Sequence, residues 1–317
     1  MSLMSHRSPK SHPASRRGFT LVEMLVVIGI IAVLAALLLP AVMYAVTRVR
    51  NGAIVLEVKQ LADAVESYKK DKGDYPPSFR DADAFVRHVR RCYPKIAPGE
   101  LALYVTTNTS GQYVWVTPPN PTPVIDEGEA LVFWLGSLYN DPRYPFSGGP
   151  STTTKPPRKT YYDFNATRLI NSDGDAYPSY LAKYAKETCY LYIDSRSYDN
   201  PKNDVLDLGR FSMGSPADSS DTYATFENST DPEHWCRPYW SNTARQPQPT
   251  GSSLFRDMVL PMNGTTFQII CAGQDGNFGY DAADIDAKLF PGGDRYNDAD
   301  NDNITNFSRG KLVDEIP

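Results

Sequence analysis

The sequence has little of what catalytic and redox sites are usually built from. Its 317 residues include 4 histidines and 4 cysteines, and no two cysteines stand in a CxxC arrangement. The nucleophile elbow GxSxG, the zinc motif HExxH and the Walker loop are all missing from the sequence. We therefore predict that the protein is not an enzyme.

An excess of positive charge is also missing. The chain carries 32 lysines and arginines against 37 aspartates and glutamates, a net charge of -5, whereas nucleic-acid-binding proteins present a basic face. Nucleic acid is therefore not an expected partner. The mean hydropathy of -0.42 excludes a polytopic membrane protein.

One stretch lacks charge altogether, and it is apolar. Residues 24–47 contain no charged side chain, and a membrane-spanning helix needs about 20 apolar residues. The charged residues that precede Glu23 are all basic: Arg7, Lys10, Arg16 and Arg17. Because basic flanks stay in the cytoplasm, we predict a single-pass helix with the rest of the chain outside. The alternative, a secretory signal peptide, has a shorter apolar region of about 7–15 residues.

Two residues are unusual for a membrane-spanning helix. Glu23 places a carboxylate at the edge of the span, which costs about 3 kcal/mol unless the charge is paired. Pro40 removes a backbone donor inside the span, which predicts a kink or local melting of the helix. Simple snorkelling of Glu23 to the membrane surface is the alternative to a functional role.

The segment Arg16–Glu23, followed by the apolar run, resembles the class III signal of type IV pilins and type II secretion pseudopilins. The resemblance implies cleavage by a prepilin peptidase between Gly18 and Phe19, N-methylation of Phe19, and assembly roles for Glu23 and Pro40. A buried, unpaired N-terminal ammonium would be very costly. Glu23 would therefore neutralise the ammonium of a neighbouring subunit and fix its register.

The function that this resemblance implies is that of a structural subunit. It would polymerise into a type II secretion pseudopilus or a type IV pilus-like fibre and support protein export. The implied partners are homologous pilin or pseudopilin subunits, the prepilin peptidase and N-methyltransferase, an assembly platform with its ATPase, and lipid of the bacterial inner membrane. The subunit would end in a periplasmic or surface fibre. Two alternatives stay open, a membrane-anchored minor pilin for adhesion or DNA uptake and a tethered extracytoplasmic enzyme.

Beyond the span, apolar residues recur at three- and four-residue spacing, which is typical of one helical stripe. These residues are Val55, Val58, Leu61, Ala62, Val65 and Tyr68, and we count Glu57 among the polar residues between them. Gly73 and the prolines after it predict the end of the helix. The chain is thus divided into a leader at 1–18, a helix at 19–72 and an extracytoplasmic head at 73–317.

For the whole chain we predict an α+β fold. Its long N-terminal helix, half transmembrane and half amphipathic, would pack on a small antiparallel β-sheet head with large loop and helix insertions. Insertions are expected at about 85–260 and a β and acidic-loop region at 261–317. Predicted strands are 101–106, 112–117, 190–193 and 266–271. Predicted helices are 81–91, 129–139 and 177–186, and predicted loops are 117–124, 145–160 and 242–253.

The segment Gln268–Gly279 resembles the C-terminal β-region of the G-type pseudopilin, where a related loop binds calcium. Alternating carboxylates in a tight loop can aim several oxygens at one ion, and calcium takes six to eight. The calcium candidates are Asp275, Asp281, Asp284, Asp298, Asp300 and Asp302. The spacing is not that of an EF-hand, and a solvated loop of Asx-turns is the alternative.

All four cysteines fall in the exported head, where disulfides can form. The disulfide candidates are Cys92, Cys189, Cys236 and Cys271. Four cysteines allow three pairings, and the spacing does not choose among them.

Overall fold

The structure is a computed structural model. It describes residues 20–79, 81–116, 125–151, 153–171, 177–185, 188–198, 236–245, 259–279 and 288–317. The chain divides into two units, Met1–Arg48 and Val49–Pro317. The leader, with Gly18 and Phe19, lies outside the described residues.

The long N-terminal helix predicted from the sequence is confirmed. Helix α1 spans Leu21–Lys72 and contains 52 residues. It runs through Pro40 without a break, so the structure shows no local melting there, and the kink stays a prediction. At its end, Gly73 adopts φ +80 and donates to the carbonyl of Lys69, a left-handed cap that favours glycine.

The second half of α1 supplies one wall of the main core. Its buried face packs against aromatic side chains from α2, from the turn before α2 and from the segment that follows α4. Phe79, Phe85 and Trp134 are fully buried there, with the Phe79 and Trp134 rings stacked at 5.5 Å between centroids. The indole of Trp134 donates to the carbonyl of Pro77 over 2.9 Å. Fixed aromatic contacts of this kind hold the head on the helix.

The other helices are short. They are α2 Ala82–Cys92, α3 Pro98–Leu101 and α4 Ala130–Val132, with a π turn Phe133–Ser137 after α4. Short 3₁₀ turns lie at Ala166–Arg168, Ser195–Ser197, Asp300–Asp302 and Leu312–Glu315. Helix α2 begins where the side chain of Asp81 accepts from the backbone N–H of Asp83, a typical N-cap.

The described strands form four small sheets. They are β1 Val105–Thr107, β2 Tyr113–Trp115, β3 Leu169–Ile170, β4 Ser179–Tyr180, β5 Leu191–Asp194, β6 Tyr239–Arg245, β7 Val259–Pro261, β8 Phe267–Cys271, β9 Lys288–Phe290 and β10 Ile304–Thr305. Strands β1 and β2 pair, as do β3 and β4. The central antiparallel sheet has the order β10-β8-β5, and a second sheet has the order β7-β6-β9 with β6 and β9 parallel.

Most of the predicted elements of the head are present. Strands β2, β5 and β8 confirm the predictions at 112–117, 190–193 and 266–271. Helix α2 confirms the helix at 81–91, and α4 with its π turn occupies most of 129–139. The loop predicted at 145–160 holds one isolated bridge, at Arg158, and the loop predicted at 117–124 lies outside the described residues.

Three of the predictions for the head need correction. The helix at 177–186 is wrong in its described part, because strand β4 pairs with β3 there and tertiary contacts override helix propensity. In the predicted strand 101–106, Leu101 ends α3 and β1 begins only at Val105. The predicted loop at 242–253 begins inside β6, which continues to Arg245.

Candidate functional site

Glu23 closes the first turn of α1 with Thr20. The backbone N–H and the hydroxyl of Thr20 donate to Oε2 of Glu23 over 2.8 and 2.9 Å. The backbone N–H of Glu23 donates back to the Thr20 hydroxyl over 3.2 Å. This reciprocal pair is a capping box. It fixes the carboxylate at the N-terminal end of the apolar helix, directly after the predicted cleavage position.

The apolar surface of α1 is uncovered over its first half. Every residue from 20 to 50 is exposed, and the most apolar 18-residue window has a hydropathy of 3.0 with none of it buried. In the described part of the chain, α1 is long and apolar enough to cross a membrane. A continuous apolar surface of this size is unfavourable in water and favours contact with lipid or with other apolar surfaces.

At the C-terminal end of the chain, two loops pack tightly on each other. Both Gly273 and Gly279 have positive φ, +69 and +74, and a Cβ at Gly279 would lie 2.6 Å from the carboxyl carbon of Asp300. The carboxylate of Asp302 accepts from the backbone N–H of Gln274 over 2.6 Å. The amide side chain of Gln274 in turn donates to Asn51 of α1 over 2.5 Å. The acidic loop is therefore tied to the helix.

The structure describes four of the six calcium candidates, Asp275, Asp298, Asp300 and Asp302. Asp275 and Asp298 are exposed, whereas Asp300 is buried. Asp281 and Asp284 lie outside the described residues. In the part of the chain that the structure describes, no group of three or more His, Cys, Asp or Glu side chains is placed to hold a metal. Calcium binding stays a prediction.

Comparison with known proteins identifies the N-terminal region. Residues 13–39 match the family described as prokaryotic N-terminal methylation motif. The N-terminal region therefore resembles that of type IV pilins and pseudopilins. The chain is 35% identical over 72 residues to Type II secretion system core protein G of Klebsiella michiganensis, which covers 23% of this chain and 51% of that protein. For the protein of the same name from Pseudomonas aeruginosa the identity is 36% over 70 residues, 22% of this chain and 49% of the relative.

The protein of the same name from Escherichia coli strain K12 is 37% identical over 71 residues, 22% of this chain and 49% of the relative. The chain thus spans about half the length of the curated relatives that it matches. No solved structure gives a significant match.

Glu57 connects the amphipathic half of α1 to the head. Its carboxylate is 2% exposed, and the guanidinium of Arg168 donates to both oxygens over 2.7 Å. The Tyr190 hydroxyl donates to Oε2 over 2.5 Å, and Lys183 lies 3.4 Å from Oε1. Burial acts to raise the pKa of Glu57, but the Arg168 and Tyr190 hydrogen bonds outweigh it and leave the pKa below its ordinary value.

Glu57 was not predicted to belong to a site, because the sequence pattern places it among the polar residues of the helix. A signal was nevertheless present. Ile54, Glu57, Val58 and Leu61 follow one another at spacings of three, one and three residues, and all four are buried. A carboxylate in that pattern lies inside the apolar stripe, where a buried charge needs a cationic partner.

A second cluster, Cys92, His88 and Asp74, contains the residue types of a catalytic cysteine triad, but its thiol is not activated. The thiol of Cys92 lies 3.5 Å from Nε2 and 3.8 Å from Nδ1 of His88, and Nδ1 lies 3.3 Å from Asp74. The hydroxyl of Tyr68 already contacts Nε2 over 2.9 Å. Burial raises the pKa of Cys92 to about 11, and a nucleophilic cysteine requires the thiolate. The cluster therefore supports a packing role for these residues.

Acid is expected to weaken the head through His88. Burial lowers the pKa of His88 below its ordinary 6.5, against the opposing hydrogen bond to Asp74. The hydrogen bond from His88 is the largest of the effects that hold the pKa of Asp74 at about 2, below its ordinary 3.8. In both cases the unfolded chain binds a proton at higher pH than the folded chain, so stability falls as the pH falls.

The contribution of His88 to the free energy of unfolding is complete above pH 6.5 and is lost as the pH falls below that value. The Asp74 contribution is lost as the pH falls from 3.8 toward 2. We expect the free energy of unfolding, measured by urea titration in detergent, to fall by up to about 1.4 kcal/mol per pH unit below the first of these values. His88→Gln should remove that first slope. An equal slope in the variant would contradict the assignment.

No disulfide joins the four candidate cysteines in the structure. Three of these side chains, Cys189, Cys236 and Cys271, are buried. Cys271 packs into the main core beneath α1, whereas Cys189 and Cys236 belong to a second apolar cluster. Burial raises the pKa of both Cys236 and Cys271 to about 12. These side chains act in the structure as small apolar residues.

Proposed function

We propose that this chain is a structural subunit that polymerises into a type II secretion pseudopilus or a type IV pilus-like fibre. The observation that carries the proposal is the N-terminal methylation motif at 13–39 leading into an apolar, exposed helix. Before assembly the helix anchors the chain in the inner membrane. After assembly the same surface is covered by the helices of neighbouring subunits.

The partners of the proposed subunit follow from this cycle. A prepilin peptidase would remove residues 1–18 and methylate Phe19, and an assembly platform with its ATPase would move the mature chain into the fibre. The relatives named core protein G of the type II secretion system support a place in the secretion machinery. The matches cover less than a quarter of this chain, which favours a specialised subunit with a large head.

Processing and incorporation test the proposal together. The full chain is expressed with its prepilin peptidase, and the N-terminus is determined by mass spectrometry in membranes and in sheared or purified filaments. We expect a mature chain that begins with methylated Phe19 and is present in both fractions. Gly18→Leu should leave the leader attached and exclude the chain from filaments.

Gly52→Ala is the matched control for the glycine substitution. An added Cβ at Gly52 has no atom within 4 Å, so this variant should be processed like the unchanged protein. The proposal fails if the unchanged chain keeps its leader in cells that contain an active peptidase. It also fails if the mature chain is never found in filaments.

A further inference from the structure

The acidic C-terminal region contains a cation of its own. Lys288, on strand β9, is 4% exposed, and Asp300 is fully buried. The ammonium nitrogen lies 2.5 Å from both carboxylate oxygens of Asp300. It also donates to the backbone carbonyl of Gly279. A buried lysine is rare unless it is paired, and this one has oxygen acceptors on two loops.

The oxygens around this ammonium are held in place by further donors. The hydroxyl of Tyr239 donates to Oδ1 of Asp300 over 2.7 Å, and the backbone N–H of Asn297 donates to Oδ2 over 2.9 Å. The side chain of Asn297 also donates to the Gly279 carbonyl over 2.7 Å. Because a lysine ammonium has three donors and no acceptor, this arrangement of oxygens suits a positive charge at its centre.

The position of the ammonium explains how two loops can pack so closely. Gly279 belongs to the loop after β8, and Asp300 belongs to the 3₁₀ turn before β10. Without a cation between them, the carbonyl oxygen of Gly279 and the carboxylate of Asp300 would face each other as two buried acceptors. Such an arrangement is unfavourable. Burial raises the pKa of Asp300, and the ammonium of Lys288 opposes that rise, so this close positive charge favours the ionised carboxylate.

The described residues do not suit a calcium ion at the same position. Calcium requires six to eight oxygens, whereas Asp300 is already bound by Lys288, and Asp302 accepts from the backbone of Gln274. Asp298 is exposed. We propose that the ammonium of Lys288 is the resident cation of this loop and joins Gly279 to Asp300 in place of a metal ion. The inference is independent of polymerisation, since it concerns the fold of the head.

Thermal melting of the full chain in detergent micelles, followed by near-ultraviolet circular dichroism, tests this proposal. The unchanged protein should have the same midpoint in EDTA and in millimolar calcium chloride. Lys288→Met should lower the midpoint by about 10 °C, because a buried carboxylate then lacks its partner. The double variant Lys288→Met with Asp300→Asn should recover most of the loss, since neither charge is left unpaired.

Lys311→Met is the matched control. Lys311 lies 3.7 Å from Asp302, and both side chains are partly exposed, so its removal should change the midpoint by no more than about 2 °C. A midpoint of the unchanged protein that rises with calcium and falls with EDTA would overturn the proposal. So would a double variant that is no more stable than Lys288→Met alone.

Discussion

Replacing Glu57 by alanine is expected to lower the free energy of unfolding of the head by about 3–5 kcal/mol. The loss is large because the substitution leaves the cationic partner of Glu57 without its carboxylate. Arg168 would keep a guanidinium that is 17% exposed at the side chain and would lose both hydrogen bonds to the carboxylate. The hydroxyl of Tyr190, which is fully buried, would lose its acceptor as well.

Urea titration of the full chain in detergent measures this loss, and two variants separate its causes. Asp63→Ala removes an exposed carboxylate from the same helix, so it should change the free energy of unfolding by no more than about 0.5 kcal/mol. Adding Arg168→Met to Glu57→Ala should recover part of the loss, because the unpaired cation is then removed. Equal stabilities for Glu57→Ala and Asp63→Ala would contradict the anchoring role.

Glu57 illustrates which features of this protein can be predicted from sequence patterns and which cannot. The predicted helix at 19–72 agrees with α1, Leu21–Lys72, at its C-terminal end and to within two residues at its start, because a helical stripe is a local property of the chain. The partner of Glu57 could not be predicted in this way. Arg168 is 111 residues away, and its approach depends on how the short strands β3 and β4 pair.

The aspartates near the C-terminus are visible in the sequence, but their role depends on how the strands around them pair. Eight aspartates between residues 273 and 303 suggested a metal site, although Lys288 stood among them. The chain brings Lys288 to Asp300 because β9 runs parallel to β6, beside Tyr239. Parallel pairing between distant segments leaves no short-range pattern in the sequence. The aspartates were therefore interpreted as a metal site, and the ion pair between Lys288 and Asp300 was not predicted.

The incorrect helix at 177–186 has a similar origin. Pro178 disfavours a helix interior here, and the ring of Tyr180 is buried and lies against the Arg168 guanidinium at 4.3 Å. Its hydroxyl lies 3.3 Å from Glu57. The same buried carboxylate that the sequence analysis missed thus contributes to placing this segment in a strand.

Replacing Glu23 by alanine is expected to reduce incorporation into filaments by about 100-fold or more, while membrane insertion and leader cleavage continue. A free N-terminal ammonium buried among apolar helices costs several kcal/mol without a counter-charge, and each 1.4 kcal/mol is about tenfold in an equilibrium. Glu23 is the candidate counter-charge. It stands at the start of α1, where its capping box with Thr20 fixes the carboxylate.

Glu23→Gln distinguishes this role of charge from simple helix capping. Glutamine at the third helical position can reach back to the Thr20 backbone as glutamate does, so it keeps the cap and removes the charge. If Glu23 acts by neutralising the ammonium of Phe19 in a neighbouring subunit, both variants should fail to assemble to a similar degree. Loss of the cap alone costs only about 1 kcal/mol, and in that case glutamine should assemble normally. Quantifying mature subunit in sheared filaments against membrane-bound subunit measures the difference, with Asp63→Ala as the control that should assemble fully.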